Sequence, residues 1–249
     1  MGQVKPYTED AAKKEQVRTM FNRIAFRYDF LNRLLSFGVD IGWRKKTVRT
    51  VKADQPATIL DLATGTGDLA IMLARRIPQA TVIGADLSPE MLEIGRQKIR
   101  KKKIGNISGM LEADAEALPF NEATFDAVTV GFGVRNFGDI PAGLAEMFRV
   151  IRPGGHVYVL EFAMPKGKLF GALYHFYFRR ILPFIGGVFS GEHKAYRYLQ
   201  RSVGDFPYGD RFVELMANAG FTNISRRQLT QGIAILYRGR KNTPNHTIT

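Results

Sequence analysis

The chain has 249 residues, 45% of them hydrophobic, no cysteine and a formal net charge of +13. That length supports one core domain with additions. The lack of cysteine excludes disulfides, thiolate metal sites, iron–sulfur clusters and a cysteine nucleophile. The charge is uneven: residues 1–55 hold 12 Lys/Arg against 6 acids, 56–165 hold 11 against 13, 166–201 hold 7 against 1, and 202–249 hold 6 against 3. A basic excess outside an acidic middle predicts an anionic surface there, nucleic acid or membrane, or simply a solvated basic face. The polar N-terminus shows no signal peptide and no run reaches the ~18–20 apolar residues of a membrane span, so an intracellular chain is expected.

From the N-terminus, Val17, Met20, Phe21, Ile24 and Tyr28 recur at three-to-four spacing within 8–36, which predicts a helix with one apolar face. Leu31, Leu34 and Leu35 continue it. Trp43 heads a basic helix carrying Arg44, Lys45, Lys46 and Arg49. Residues 1–55 thus read as a helical cap on the active-site side of a sheet. Tyr28, Asp29 and Asn32 serve either helix packing or a substrate.

Thr58–Leu62 is short, apolar and β-branched, the pattern of a buried parallel strand. Gly65 and Gly67 follow at once, and Leu69, Leu73 and Ile77 then repeat as a helix. Lacking Cβ, the glycines permit a tight turn and close approach of a ligand to the backbone. A second strand, Thr81–Asp86, ends in an acid 19 residues after Gly67, placed to accept hydrogen bonds from ribose hydroxyls; Leu87 adjoins it. The Gly65-x-Gly67-x-x-Ala70 spacing also fits a dinucleotide site, but Asp61 and Asp68 put carboxylates where a pyrophosphate would lie. They suit a cationic ligand with an ammonium group. The stretch resembles motif I of the class I methyltransferases, whose methyl donor is S-adenosylmethionine.

Ser88-Pro89-Glu90 starts a helix that closes in a basic run at Lys98 and 100–103. Residues 106–112 are the third strand, after which Asp114 and Ala115 are placed to bond an adenine edge. Phe125–Gly131 is the fourth strand, and Gly131-Phe-Gly-Val-Arg135-Asn136 opens at the same rim as Gly65. Ligands of open α/β sheets bind beyond the carboxyl ends of the strands, so Arg135 and Asn136 should face the reaction centre. A helix over 139–150, a turn over 152–155 and a fifth strand over 156–162 follow; Glu161 is either catalytic or a paired structural carboxylate. The stretch 169–189 is aromatic and apolar with Arg179 and Arg180 beside it, and either lies in a membrane interface or covers the core. A helix over 212–219 and strands over 224–229 and 233–237 complete the pattern. The organisation is a cap (1–55), a cofactor-binding core (56–165), a substrate- and membrane-facing insertion (166–208), a closing helix and strands (209–240) and a polar tail (241–249).

Three blocks go beyond a general methyltransferase pattern: Phe26-Arg-Tyr-Asp-Phe-Leu-Asn32 with Leu35-Ser-Phe-Gly38, Gly131 to Asn136, and Tyr196-Arg-Tyr-Leu199 with Ser202 and Phe206-Pro207. Through them the chain, from about Val17 to Arg240, resembles the ubiquinone/menaquinone biosynthesis C-methyltransferases. The resemblance implies an α/β class I fold, a doubly wound and mostly parallel seven-stranded sheet. It implies S-adenosylmethionine as cofactor, and methylation of a ring carbon of a polyprenylated naphthoquinol or, alternatively, benzoquinol. It places cofactor contacts on Thr66, Asp86, Asp114 and Ala115, beside Asp61, Gly65, Gly67 and Leu87; Gly131 stands where many members have serine. Arg135 is the candidate for stabilising the quinolate, Tyr28, Asp29 and His193 are candidates for removing the proton, and Asn136 is the further candidate facing the reaction centre. The expected partners are the lipid quinol and an anionic membrane surface on the cytoplasmic side, with a homodimer allowed and no metal. A nucleic-acid methyltransferase, a nicotinamide oxidoreductase and a non-catalytic lipid-binding module are the rival readings. The first would use a cysteine nucleophile or an Asn/Asp-Pro-Pro-aromatic turn; the chain has neither.

Overall fold

Apolar β-branched runs pair side by side in the computed structural model, which describes residues 4–7, 11–165, 171 and 193–243, with His193 and Tyr196 given as backbone alone. The strands are β1 (Thr58–Leu62), β2 (Thr81–Asp86), β3 (Ile107–Glu112), β4 (Phe125–Gly131), β5 (Ile151–Phe162), β6 (Thr222–Leu229) and β7 (Ala234–Arg240). They form one seven-stranded sheet in the order β3-β2-β1-β4-β5-β7-β6. β1 to β5 are parallel, and β7 runs antiparallel between β5 and β6. The class I methyltransferase architecture expected from the sequence is therefore present. The membrane-interface stretch 169–189 lies outside the described residues apart from Gly171.

Helices cover both faces because the sheet is apolar on both. Among the described residues these are α1 (Lys13–Leu35), α2 (Val39–Ala53), α3 (Asp68–Arg76), α4 (Pro89–Lys102), α5 (Ile140–Val150), α6 (His193–Asp205) and α7 (Asp210–Asn218). On one face α5 and α7 pack Leu144, Met147, Phe212 and Met216 against Leu60, Val128, Val130 and Val159. On the other, α2 and α3 pack Val48, Val51, Leu73 and Ile77 against Ile59, Val82 and Tyr158. Each such side chain contributes about 1.5–3 kcal/mol by leaving water. Local chemistry sets the helix starts: the Ser88 hydroxyl accepts the Met91 N–H, and the Asp139 carboxylate accepts that of Ala142.

Two boundaries differ from expectation for physical reasons. Trp43 does not head α2 but lies a turn inside it, buried, with its indole N–H donating to Thr230 Oγ1 at 2.8 Å. Residues 152–155 are not a turn before β5 but an irregularity within it, where the register steps from Phe125↔Ile151 to Ala127↔His156. A Cβ on Gly155 would sit 2.6 Å from the Asp126 carbonyl oxygen, so only glycine admits that approach.

α1 does not lie on the sheet. Its buried stripe, Val17, Met20, Ile24 and Leu31, packs with Met91 of α4 and with Tyr198 and Val203 of α6. Polar straps then fasten its first turns over the carboxyl ends of the strands. Lys13 Nζ donates to the carbonyls of Arg135 (3.1 Å) and Phe137 (2.7 Å). Lys14 pairs with Asp114 at 2.6 Å and Arg18 with Glu112 at 2.9 Å.

Candidate active site

The strand order reverses between β1 and β4, and their carboxyl ends open into a cavity of about 720 Å³ including its mouth. Two loops build its floor. After β1, Ala63 takes φ 51°, and after β4, Phe132 takes φ 62°; both line the cavity. Left-handed backbone at non-glycine residues costs energy and concentrates at functional sites. The loops also touch: a Cβ on Gly133 would lie 2.5 Å from the Ala63 methyl, which is why glycine follows Phe132.

Of the residues expected to bind cofactor, Gly65, Asp86, Leu87, Asp114, Ala115 and Gly131 line this cavity. The Asp86 carboxylate is oriented by the N–H of Gly65 (2.8 Å) and of Ser88 (2.9 Å). Burial raises its pKa, and those backbone N–H groups pull the other way. A carboxylate oxygen accepts more than one hydrogen bond, so both oxygens remain able to receive ribose hydroxyls. Asp61 lies behind the wall and is fully shielded. It accepts from Thr64 Oγ1 and Thr129 Oγ1, each at 2.6 Å, and burial pushes its carboxyl up to about 6.

Asp29, Thr66 and Asp68 do not line the cavity; their side chains meet one another through Lys98. The Thr66 hydroxyl donates to Asp29 at 2.6 Å and accepts from Lys98 at 2.8 Å. Lys98 also pairs with Asp29 and, at 2.7 Å, with Asp68, which Arg33 approaches at 3.3 Å. Burial works to raise the Asp68 carboxyl, but Lys98 and Arg33 outweigh it and hold it below its ordinary range. These groups form a closed polar seam joining α1, the glycine loop, α3 and α4. Asp68 and Asp29 thus both engage Lys98, and neither lines the cavity. Gly67 starts α3 and lies off the wall, packed near Met110.

The residues expected at the reaction centre separate similarly. Tyr28 and Asn136 line the cavity; Arg135 sits one layer back. The Arg135 guanidinium donates to Glu161 Oε1 at 2.7 Å and to the Phe132 carbonyl, and lies 5.3 Å over the Phe162 ring. Glu161 is wholly buried, so its open role resolves to the paired one. Burial raises the Tyr28 phenol, against hydrogen bonding to Asn32 and the charges of Arg135 and Arg44; Tyr28 therefore holds its proton. The His193 side chain lies outside the described residues.

Three buried polar atoms in this region have no hydrogen-bond partner among the described residues: Arg135 Nε, Asn136 Oδ1 and Tyr198 Oη. Buried polar groups are nearly always satisfied, so such a group set beside a cavity asks for a ligand atom. Tyr198 carried no assigned role in the sequence reading. Its signal was the Tyr196-Arg-Tyr-Leu199 block, but only the fold brings α6 to within electrostatic reach of Arg135 and Glu161. Lys13, which holds the loop after β4, was missed for the same reason.

A cavity at the switch point and an oriented acid after β2 are the parts of a site for a nucleoside-bearing cofactor. The solved structure of an S-adenosylmethionine-dependent methyltransferase, possible histamine N-methyltransferase, from Thermotoga maritima superposes with a TM-score of 0.63 at 19% identity, over 90% of this chain and 99% of that one; the likeness is one of fold. Sequence goes further. A demethylmenaquinone methyltransferase of Thermus thermophilus is 51% identical over 220 residues, 88% of this chain and 99% of its own. A ubiquinone/menaquinone biosynthesis C-methyltransferase of Geotalea daltonii is 47% identical over 230 residues, 92% of this chain and 97% of its own. With residues 9–241 matching the family model as well, the chain belongs to the ubiE/COQ5 methyltransferase family.

Proposed function

We propose that the protein transfers the methyl group of S-adenosylmethionine to a ring carbon of a polyprenylated naphthoquinol, converting demethylmenaquinol to menaquinol. One observation supports the head-group site: buried polar atoms of Arg135, Asn136 and Tyr198 lack partners among the described residues, and of these Asn136 lines the cavity while Arg135 and Tyr198 do not. A quinol presents hydroxyl groups able to satisfy them.

S-adenosylmethionine supplies, when bound, an electrophilic methyl on a sulfonium centre. Asp86 would hold its ribose hydroxyls, Asp114 and Ala115 its adenine edge, and the Gly65 turn in front of Asp61 its cationic end. The fit is electrostatic. The cations near the cavity mouth, Lys14 and Arg18, are already paired with Asp114 and Glu112, whereas Asp86 and Asp61 have no cation within pairing distance among the described residues.

The quinol ring carbon becomes nucleophilic as a ring hydroxyl gives up its proton to water at the mouth of the cavity. A phenol of pKa about 10 does so near neutral pH only with help from a positive charge or a base. Arg135 supplies fixed positive charge beside the quinol oxygen, and Glu161 and the Phe132 carbonyl keep it in place. Asn136 Oδ1 accepts one quinol hydroxyl. Tyr28, still protonated, donates toward the oxygen that gathers charge. The ring and the donor are thereby held near contact, which is itself a large part of catalysis.

The quinol is a lipid, and no described helix is long and apolar enough to cross a membrane. The protein therefore reaches its substrate from the cytoplasmic membrane surface, drawn to anionic lipid by its basic excess. The test is incubation with radiolabelled methyl donor and reduced naphthoquinol or benzoquinol carrying the same tail, followed by mass analysis. Ring-methylated naphthoquinol is the expected product. Label on the benzoquinol alone moves the assignment to the ubiquinone branch, and label on neither refutes it.

A further inference from the structure

We infer that the corner between α1 and α2 is the surface that seats on an anionic lipid bilayer, with Phe26, Phe30 and Phe37 entering the interface. The inference rests on the reading above only in that the substrate is a membrane lipid. Every large hydrophobic residue exposed among the described residues lies between positions 26 and 41: Phe26 at 92%, Phe30 at 59%, Leu34 at 38%, Phe37 at 77%, Val39 at 39% and Ile41 at 36%. Isolated exposed apolar side chains are ordinary, but their gathering in one place marks an interaction surface.

The pattern along the helix is deliberate. Phe26, Phe30 and Leu34 fall at four-residue intervals and so form one outer stripe of α1. The stripe that the fold itself needs, Val17, Met20, Ile24 and Leu31, is a different one and is buried. A helix with one core-facing stripe requires no second. Beyond Leu34 the chain turns through Phe37 (φ 50°) and Gly38 (φ 73°) into α2. Phe37 thus occupies a backbone region that side chains rarely adopt, and the result is a ring held out at the tip of the corner.

Charge identifies the occupant. From position 16 to 53 the acids are Asp29, tied to Lys98, and Asp40, in a buried pair with Arg44. The bases Arg23 and Arg27 of α1 and Lys45 and Arg49 of α2 are exposed. Aromatic residues flanked by bases on a non-spanning helix are the composition that lies in a headgroup layer. A second copy docked through the same face would set these bases against their own kind. α1 is also a wall of the cavity, through Val17, Phe21 and Tyr28. A bilayer meeting its outer stripe therefore lies one helix away from the site.

The experiment uses the full chain, wild type and the triple variant Phe26→Ser, Phe30→Ser, Phe37→Ser, with phosphatidylcholine vesicles with and without phosphatidylglycerol. Wild type is expected to sediment with the anionic vesicles. The variant should bind at least tenfold more weakly, while keeping the wild-type melting temperature and turnover on a quinol without a prenyl tail. In Phe26→Trp, emission should shift to the blue when anionic vesicles are added. Equal sedimentation of the variant, or no shift, overturns the inference and leaves the membrane reading standing. Failure of wild type to bind either vesicle overturns both. A wild-type dimer that the triple variant splits would make this face a protein interface and likewise overturn it.

Discussion

A carboxylate whose burial outweighs the charges around it changes its chemistry near the physiological pH range, and Asp61, with only the more distant Arg44 charge opposing its burial beside its hydrogen bonds, is such a case. Burial lifts its carboxyl to about 6, against an ordinary value near 3.8, with two threonine hydroxyls opposing the shift. The native state thus holds this proton more tightly than the unfolded chain between those values, and the contribution of Asp61 to stability falls as pH rises through that window. A cationic ligand prefers the ionised form, so affinity moves the opposite way. Calorimetric titration with S-adenosylmethionine should show binding weakening as pH drops below about 6, by at most about tenfold per unit for one proton, and Asp61→Asn should flatten the curve. A pH-independent wild type would rule out Asp61 as a determinant of cofactor charge recognition. Tyr198 offers a complementary test. Removing Arg135 would strand the buried Glu161, at about 3–5 kcal/mol, and confuse catalysis with folding. Tyr198→Phe removes only an oxygen that has no partner. It should leave the melting temperature unchanged or slightly higher and lower kcat/KM about 10- to 100-fold, and unchanged kinetics would take Tyr198 out of the site. The glycines and Asp86 could be read from the sequence because turn geometry and strand-end acids are local requirements. The commitments of Asp29 and Thr66 could not, because Lys98, which claims both, approaches only after α4 has packed against α1.

At the level of elements, the polar seam on Lys98 does for α1 what hydrophobic packing does for the helices on the sheet. Lys98 reaches Asp29, Thr66 and Asp68 at once, and its side chain is 18% exposed. Lys98→Met leaves two carboxylates facing each other across a hydroxyl. The expected loss is about 1–3 kcal/mol, or roughly 2–4 °C of melting temperature per kcal/mol for a chain of this size. Hydrogen exchange distinguishes this from general weakening: protection should fall along α1 and the glycine loop, while β4 and β5 stay protected. Uniform loss would mean that the seam is merely part of the common core. The strands β1, β2 and β4 were legible because each is a bounded apolar run. The start of β5 was not, since Pro153-Gly154-Gly155 carries the signature of a turn, whereas the structure uses its lack of bulk to let two backbones approach. The membrane-facing role given to 169–189 rests on composition. The exposed stripe of α1 was not read from the sequence, because the three-to-four spacing picks out the single face that the core buries, and Phe26, Phe30 and Phe37 fall outside it.

Across the whole molecule, the acidic middle and the basic ends become a sheet that holds the cavity and a cap that closes over it. The cap is fastened at two strengths. The seam on Lys98 is largely shielded, but the straps at the mouth, Lys14 to Asp114 and Arg18 to Glu112, join side chains that are 25–47% exposed. Exposed pairs of this kind contribute about 0–1 kcal/mol each and weaken with salt. Lys13, whose Nζ donates to the carbonyls of Arg135 and Phe137, holds the same first turn, so loosening the two exposed pairs is expected to ease cofactor exchange without undocking the helix. Lys14→Ala with Arg18→Ala should then speed cofactor dissociation several-fold in stopped-flow displacement and shift the melting temperature by no more than a few degrees. In wild type, added salt should have the same effect on the off-rate, and in the double variant that salt dependence should largely vanish. If the two straps carry no gating role, the dissociation rate of the double variant will match wild type at every ionic strength.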